Sequence, residues 1–309
     1  MPTLVFSRLR KAYATTVAVD DVSFEVRSGE VFGLLGPNGA GKTSLIRALM
    51  DIVPADSGSI LLDGRPLDRR DLDRIGYLPE ERGLYRRERV EDVLVYFGML
   101  KGLRRPEARR GARLWLERVG LAEAGRRRVD DLSKGMQQKV QIAATLLHDP
   151  AILVLDEPFS GLDPLNTVLV KELLRERSAA GCLVILSTHQ MPLVETLCDR
   201  VAMIDHGRLV LYGGLEEIRR GHDVPAVLVG IDGDGGLGDL PLAERVEKQG
   251  GLSRVVLKPG ARPGDLMQIL LSRGLAVEHF EVWRAPLEEI FIDTVRRARA
   301  ARPDAGGAS

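Results

Sequence analysis

The sequence predicts an α/β fold built on a mostly parallel sheet, followed by a small C-terminal α+β domain. Three observations carry this expectation. Continuous apolar runs ("EVFGLLG", "AILVLDE", "GCLVILSTH") alternate with helical stretches, which is the pattern of strands covered on both faces and joined by crossover helices. The first run ends in a glycine-rich turn that opens a helix. Around residues 219 to 225 the pattern changes to shorter strands and two helices. With 309 residues, 44% of them apolar, the chain is long enough for one large core and one small one.

Taken in order, "TLVFSRLRKAY" and "AVDDVSFEVRSG" read as half-exposed antiparallel strands, and "EVFGLLG" as a buried one. The helix "KTSLIRALMDIV" follows, then a turn-rich piece, "PADSGSILLDGRPL", and a short strand at "RIGYLPE". Helical patterning runs from about Val90 to Gly125. From Ser133 the order is helix, strand "AILVLDE", a helix from Pro164, strand "GCLVILSTH", another helix, and the paired strands "RVAMIDHGRLVLYG". The second domain contains "AVLVGID", a Gly/Asp-rich loop "DGDGGLGD", "RVVLKPG", the helix "DLMQILLSRG", "AVEHFEVW" and the helix "PLEEIFIDTVRRARA", with a frayed tail "RPDAGGAS". The expected division is 1–220, with a helical subdomain at about 81–150, and 221–309.

"GPNGAGKT", Gly36 to Thr43, carries the chemistry. It fits G-x-x-x-x-G-K-[ST] between an apolar strand and a helix, the setting of a phosphate loop (Walker A). Backbone N–H groups across Gly36, Asn38, Gly39, Ala40 and Gly41 wrap a β-phosphate, and Lys42 adds charge at the β- and γ-phosphates. The Thr43 hydroxyl suits Mg²⁺, and Ser44 reaches the α-phosphate. "ILVLDEP" ends a buried strand in two acids: Asp156 holds the metal through water, and Glu157 polarises a water for in-line attack on the γ-phosphate. His189 ends a further apolar strand, where a neutral imidazole can contact the γ-phosphate or the water. Ser133 and Gly135, at the mouth of "LSKGMQQKVQIAATLL", form a second place where a helix N-terminus suits an anion.

Composition removes other classes. A formal net charge of zero argues against a general nucleic-acid binder. No run of about 18 apolar residues exists, and "MPTLVFSRLRKAYATT" lacks an apolar signal core, so a cytoplasmic chain with no span of its own is expected. Cys182 and Cys198 sit in apolar surroundings and read as buried small residues without redox or metal roles.

"GPNGAGKT", "LSKGMQQK", "ILVLDEP", "SGLDP" and "STH", in this order, resemble the ATP-binding cassette (ABC) ATPases over roughly residues 3 to 220. The resemblance implies a P-loop ATPase cassette with an antiparallel β subdomain and a helical subdomain. Tyr13 matches the aromatic that stacks on adenine. Ser133 and Gly135 would bind the γ-phosphate of ATP held by a second copy of the chain, with Asp163 of "SGLDP" crossing the same interface. ATP and Mg²⁺ are the implied cofactors. "YLPEERGLY", "LSKGM" and the C-terminal domain look most like bacterial sodium-extrusion and multidrug-export cassettes, whose transmembrane permease is a separate chain that would hold this one at the inner face of the membrane. No stable nucleic-acid binding is expected.

Two departures matter. Lys134 and Met136 stand where the commonest signature has glycine and glutamine. Glu80 stands where most members carry a Mg²⁺-ligating glutamine; it is either a metal-site residue or a solvated loop acid. Between Glu81 and Arg128 basic residues outnumber acids about two to one, which fits a solvated helical surface or one lying beneath anionic headgroups. Rival functions are a soluble cassette ATPase acting on ribosomes or DNA, and a nucleotide-dependent regulator.

Overall fold

The computed structural model describes residues 2–81, 83–222, 225–231, 237 and 239–300. They form two compact units, Glu216–Asp293 and the residues on either side of it.

In the first unit, β1 (Thr3–Tyr13) and β2 (Thr16–Arg27) pair antiparallel, with apolar residues alternating inward. β3 (Val31–Leu35) is buried throughout and feeds α1 (Lys42–Leu49). The stretch expected as turns contains a strand, β4 (Ser57–Leu62), which pairs with β1 and is followed by the short β5 (Arg65–Pro66). Its "SGS" start has no apolar pattern because it lies exposed; a partner some fifty residues upstream makes it a strand. Then come α2 (Arg69–Leu72) and β6 (Ile75–Leu78). The helices α3 (Val90–Leu100), α4 (Arg105–Arg118) and α5 (Lys134–Leu146) fill the expected helical region. β7 (Ile152–Asp156), α6 (Pro164–Ala179), β8 (Leu183–Thr188), α7 (Met191–Leu197), β9 (Arg200–Asp205) and β10 (Arg208–Gly214) complete the unit.

Two sheets result, β2-β1-β4-β5 and β10-β9-β3-β8-β7-β6. In the second, every pairing is parallel except β9 with β10, as the apolar runs predict. One core joins the sheets: Leu4, Phe6, Phe24 and Val26 of the first pack with Phe32, Leu34, Val154 and Ile185 of the second, and Leu45, Ile46 and Leu49 of α1 share it. Burying such side chains contributes about 1.5–3 kcal/mol each, and here it aims the start of α1 at the carboxyl ends of the parallel strands. Helix α1 stops at Leu49, earlier than the apolar pattern suggests, because Asp51 turns the chain at φ 53°.

In the second unit β11 (Ala226–Ile231), β12 (Ala243–Gln249), β13 (Leu252–Leu257) and β14 (Val277–Val282) form an antiparallel sheet in the order β12-β13-β11-β14. The intervening α9 (Pro263–Ser272) packs Leu266 and Leu270 on Val227, Val229, Val255 and Leu257. Helices numbered α8 (Leu215–His222) and α10 (Leu287–Ala300) flank these strands in sequence. β12 escaped sequence reading because "AERVEKQ" is too charged to announce itself; its ladder with β13 makes it a strand. The expected Gly/Asp-rich loop at 232–239, apart from Leu237 and Asp239, and the tail at 302–309 lie outside the described residues.

Cys182 and Cys198 are free and buried, and burial pushes the Cys182 thiol up to about 11 and the Cys198 thiol up as well. Among the described residues no helix is long and apolar enough to cross a membrane.

Candidate nucleotide site

The turn after β3 is shaped for close backbone approach. Gly36 has φ 149° and Gly41 φ 112°, and a Cβ at either would lie 2.2 Å from a carbonyl oxygen, that of Ile204 or Ala18 respectively. Only glycine fits both positions. Gly41 caps α1 with no side-chain bond, leaving the first N–H groups of an eight-residue helix facing the loop.

A cleft of about 350 Å³ opens there. Asn38, Gly39, Gly41, Lys42, Thr43, Ser44, Glu80, Asp156 and Glu157 line it, together with Ala18 of β2. Gly36 and Ala40 form the loop behind it, with Ala40 buried. The Lys42 ammonium, only 6% exposed, donates to the carbonyls of Gly36 at 2.7 Å and Pro37 at 3.1 Å. Burial holds its pKa below the usual lysine value, against the opposing pull of Glu157, Asp156 and Glu80. An anion entering the cleft meets a cation whose desolvation cost is already met.

Asp156 and Glu157 end β7 in different environments. Asp156 is 2% exposed and accepts from the Thr43 hydroxyl at 3.0 Å; burial raises its pKa, opposed by that hydrogen bond and by Lys42. Glu157 sits at φ 50°, a left-handed conformation that costs a non-glycine residue about 1–3 kcal/mol. Its N–H donates to the Ser187 carbonyl at 2.9 Å, so the pairing of β7 with β8 holds the strained backbone. Its carboxylate accepts from Thr188 Oγ1 at 3.1 Å and from the His189 N–H at 3.0 Å, and lies 2.7 Å from His189 Nδ1. With Glu157 as a carboxylate, Nδ1 carries the proton. The His189 side chain is half exposed, so its ring reaches outward from the strand end.

Thr188 was not singled out from the sequence, although it stands beside His189. Ala18 gave no sequence signal, since a far-off strand brings it in. Gln138 is a third such residue: buried on α5, it donates to the Pro158 carbonyl at 2.9 Å and fastens that helix to the segment after Glu157.

The remaining sequence-predicted residues lie outside the cleft. Tyr13, at the end of β1, is 39% exposed, with Lys11 Nζ 5.5 Å from its ring centroid. Ser133 caps α5 by accepting from the Met136 N–H at 3.2 Å and is exposed. Gly135 has a local reason as well: a Cβ there would lie 3.1 Å from the Gly161 carbonyl oxygen, so the signature helix and the "SGLDP" turn pack closely, and a side chain would need the turn to give by a few tenths of an ångström. Asp163 caps α6, accepting from the Asn166 N–H at 2.9 Å and its amide at 2.6 Å, and those bonds hold its pKa below the usual carboxylate value.

A glycine-rich loop at the carboxyl end of a parallel strand, with a buried lysine, a hydroxyl on an acid and a second acid beside it, defines a nucleoside-triphosphate-binding α/β protein. Comparison with known proteins narrows the class. A family model for ABC transporters matches residues 19–160, and one for the C-terminal domain of DrrA1-3-like ATP-binding proteins matches residues 213–295. An uncharacterized ABC transporter ATP-binding protein of Methanocaldococcus jannaschii is 43% identical over 71% of this chain and 80% of its own. The Nod factor export ATP-binding protein I of Ralstonia nicotianae is 38% identical (81% and 79% covered), and the linearmycin resistance ATP-binding protein of Bacillus subtilis 37% (66% and 67%). Among solved structures, an ATP-binding subunit of an ABC transporter superposes with a TM-score of 0.66 at 33% identity, covering 71% of this chain and 92% of that one. The chain belongs to the ATP-binding subunits of ABC transporters, and it is an ATPase.

Proposed function

We propose that two copies of the chain close on two MgATP, drive a separate transmembrane permease, hydrolyse and reopen, and that the cycle serves export. The observation that carries this reading is the placement of Glu157. It is fixed in a strained backbone between Thr188 and His189, and it lines the same cleft as Lys42 and Thr43. In the proposed cycle Lys42 and the loop N–H groups hold the β- and γ-phosphates, Ser44 meets the α-phosphate, and Tyr13 stacks on the base. Glu157 orients and deprotonates the attacking water, and His189 supports it at the γ-phosphate. Ser133, Gly135 and Asp163, outside their own cleft, act on the ATP of the partner.

The oxygen donors fit Mg²⁺. Thr43 and Asp156 are hydrogen-bonded to each other in the cleft, offering a hydroxyl and a carboxylate to a hard cation, and Glu80 lines the same space. Among the described residues no group of three or more His, Cys, Asp or Glu could cage a metal, so phosphate oxygens and water would complete the shell. Held there by Thr43 and Asp156, the ion would supply positive charge to offset that of the phosphates.

The Glu80 role has a direct test. A carboxylate there would repel the γ-phosphate whenever the metal is absent, since like unit charges about 4 Å apart cost on the order of 4 kcal/mol at intermediate dielectric. ATP affinity is expected to depend steeply on Mg²⁺, and Glu80→Gln to flatten that dependence and improve metal-free binding. Superimposable titrations of the two proteins, with and without chelator, would return Glu80 to the solvated surface.

For the permease, the helical region offers an apolar groove of about 340 Å³ lined by Tyr77, Leu84, Phe97, Leu100 and His148. Pro79, the neighbour of Glu80, also lines it, so an occupant would press on the segment that enters the nucleotide cleft. The relatives named for linearmycin resistance and Nod factor export support the exporting direction. Purification of the tagged chain from its native cells should recover it in the membrane fraction with a polytopic partner. Recovery with ribosomes or DNA instead would refute the transport reading.

A further inference from the structure

The turn between β9 and β10 belongs to none of the motifs above, yet several backbone approaches converge on it. The Gly207 N–H donates to the Ala40 carbonyl of the phosphate loop at 2.8 Å, and the Gly207 carbonyl accepts from the Asp20 N–H of β2 at 2.8 Å. One residue thus bridges the loop and the strand. Gly207 has φ 75°, and a Cβ there would lie 2.8 Å from the Ala18 carbonyl oxygen and 3.2 Å from that of Val17. Crowding of the same kind brackets the turn, because Gly36 of the loop abuts the Ile204 carbonyl and Gly41 abuts that of Ala18. Arg208 closes the arrangement from outside, with Nη2 2.6 Å and Nε 2.7 Å from Asp20 Oδ2. Ala18 itself lines the nucleotide cleft.

The geometry points to the Asp205–Arg208 turn as a spacer, with Gly207 as a positioning residue that holds the phosphate loop and the β2 segment Val17–Asp20 at a fixed separation. A ligand that engages only the loop does not sense that separation. A ligand that engages both the loop and the Ala18 side does, because its two halves must be met at once by walls already in place. ATP is such a ligand, with its phosphates on the loop and its nucleoside toward β2; inorganic tripolyphosphate is of the first kind. This rests on the reading of the cleft as the ATP site. The spacer is built from main-chain groups at Gly207 and closed by the Arg208–Asp20 side-chain pair, so it acts by distance and touches no phosphate itself.

Isothermal titration of the full chain with ATP and with tripolyphosphate, both with Mg²⁺, tests it. Gly207→Ala pushes a methyl at β2, and ATP affinity is expected to fall at least about tenfold while tripolyphosphate affinity changes by less than about threefold. Gly181→Ala is the control: Gly181 has φ 89° and open space around its Cβ position, so it carries the same backbone strain with nothing to displace, and both affinities should stay at wild-type values. Should Gly207→Ala not fold, Arg208→Ala releases the Asp20 clamp and should weaken ATP about threefold with tripolyphosphate unchanged. Equal losses for the two ligands, or ATP affinity within about twofold of wild type in the folded variants, would overturn the spacer. Lys42→Ala separates this from the underlying reading. If it abolishes tripolyphosphate binding while the Gly207 variant shows no effect, only the spacer fails; if tripolyphosphate binds Lys42→Ala as it binds wild type, the cleft is not a phosphate site and the spacer falls with it.

Discussion

Glu157→Gln is expected to abolish ATP turnover, leave ATP binding intact and trap an ATP-bound dimer visible by light scattering. The substitution preserves shape. The amide oxygen can accept from the His189 N–H, and the Thr188 hydroxyl can rotate to accept from the amide nitrogen, so the contacts now made at 3.0 and 3.1 Å have counterparts. The strained backbone at φ 50° is untouched as well. Lost is the carboxylate able to take a proton from water, a contribution of about 10²–10⁴ in rate. Turnover within about twofold of wild type would remove Glu157 from the chemistry.

Ser133→Arg is the second large effect. Ser133 is exposed and lies outside its own cleft, so a change there has no direct route to the ATP its own chain binds. If α5 meets the γ-phosphate bound by a second copy, a bulky guanidinium at its mouth blocks the approach, and hydrolysis should fall by roughly a hundredfold or more, the scale of losing a preorganised anion donor. Monomer affinity for ATP should not change. Ser133→Ala controls for the cap, because it loses the bond to the Met136 N–H, worth about 1 kcal/mol, without adding bulk. Normal hydrolysis by Ser133→Arg would show that no partner's nucleotide sits at this helix. Equal loss in both variants would assign the effect to the lost serine hydroxyl rather than to the added bulk.

Much of this molecule is legible without coordinates because its defining features are local. The loop at Gly36–Thr43 needs a fixed run of residue types between a strand and a helix, and the buried strands β3, β7 and β8 need unbroken apolar runs; neither requirement refers to anything distant in the chain. The five ordered motifs likewise carried the family from sequence alone. Tertiary structure decided whatever depends on a partner far away in sequence. β4 and β12 carry no strand pattern of their own and exist because β1 and β13 supply ladders. Ala18 enters the cleft, and Gly207 meets the loop, across separations that no spacing rule encodes. Gly135, whose sequence position suggests an anion, also packs tightly against the Gly161 carbonyl, a contact visible only in the fold. The physical reason is common to all of them: hydrogen bonds and hard-core contacts act over a few ångströms of space, and only where the chain is also contiguous does the sequence carry a readable record of them.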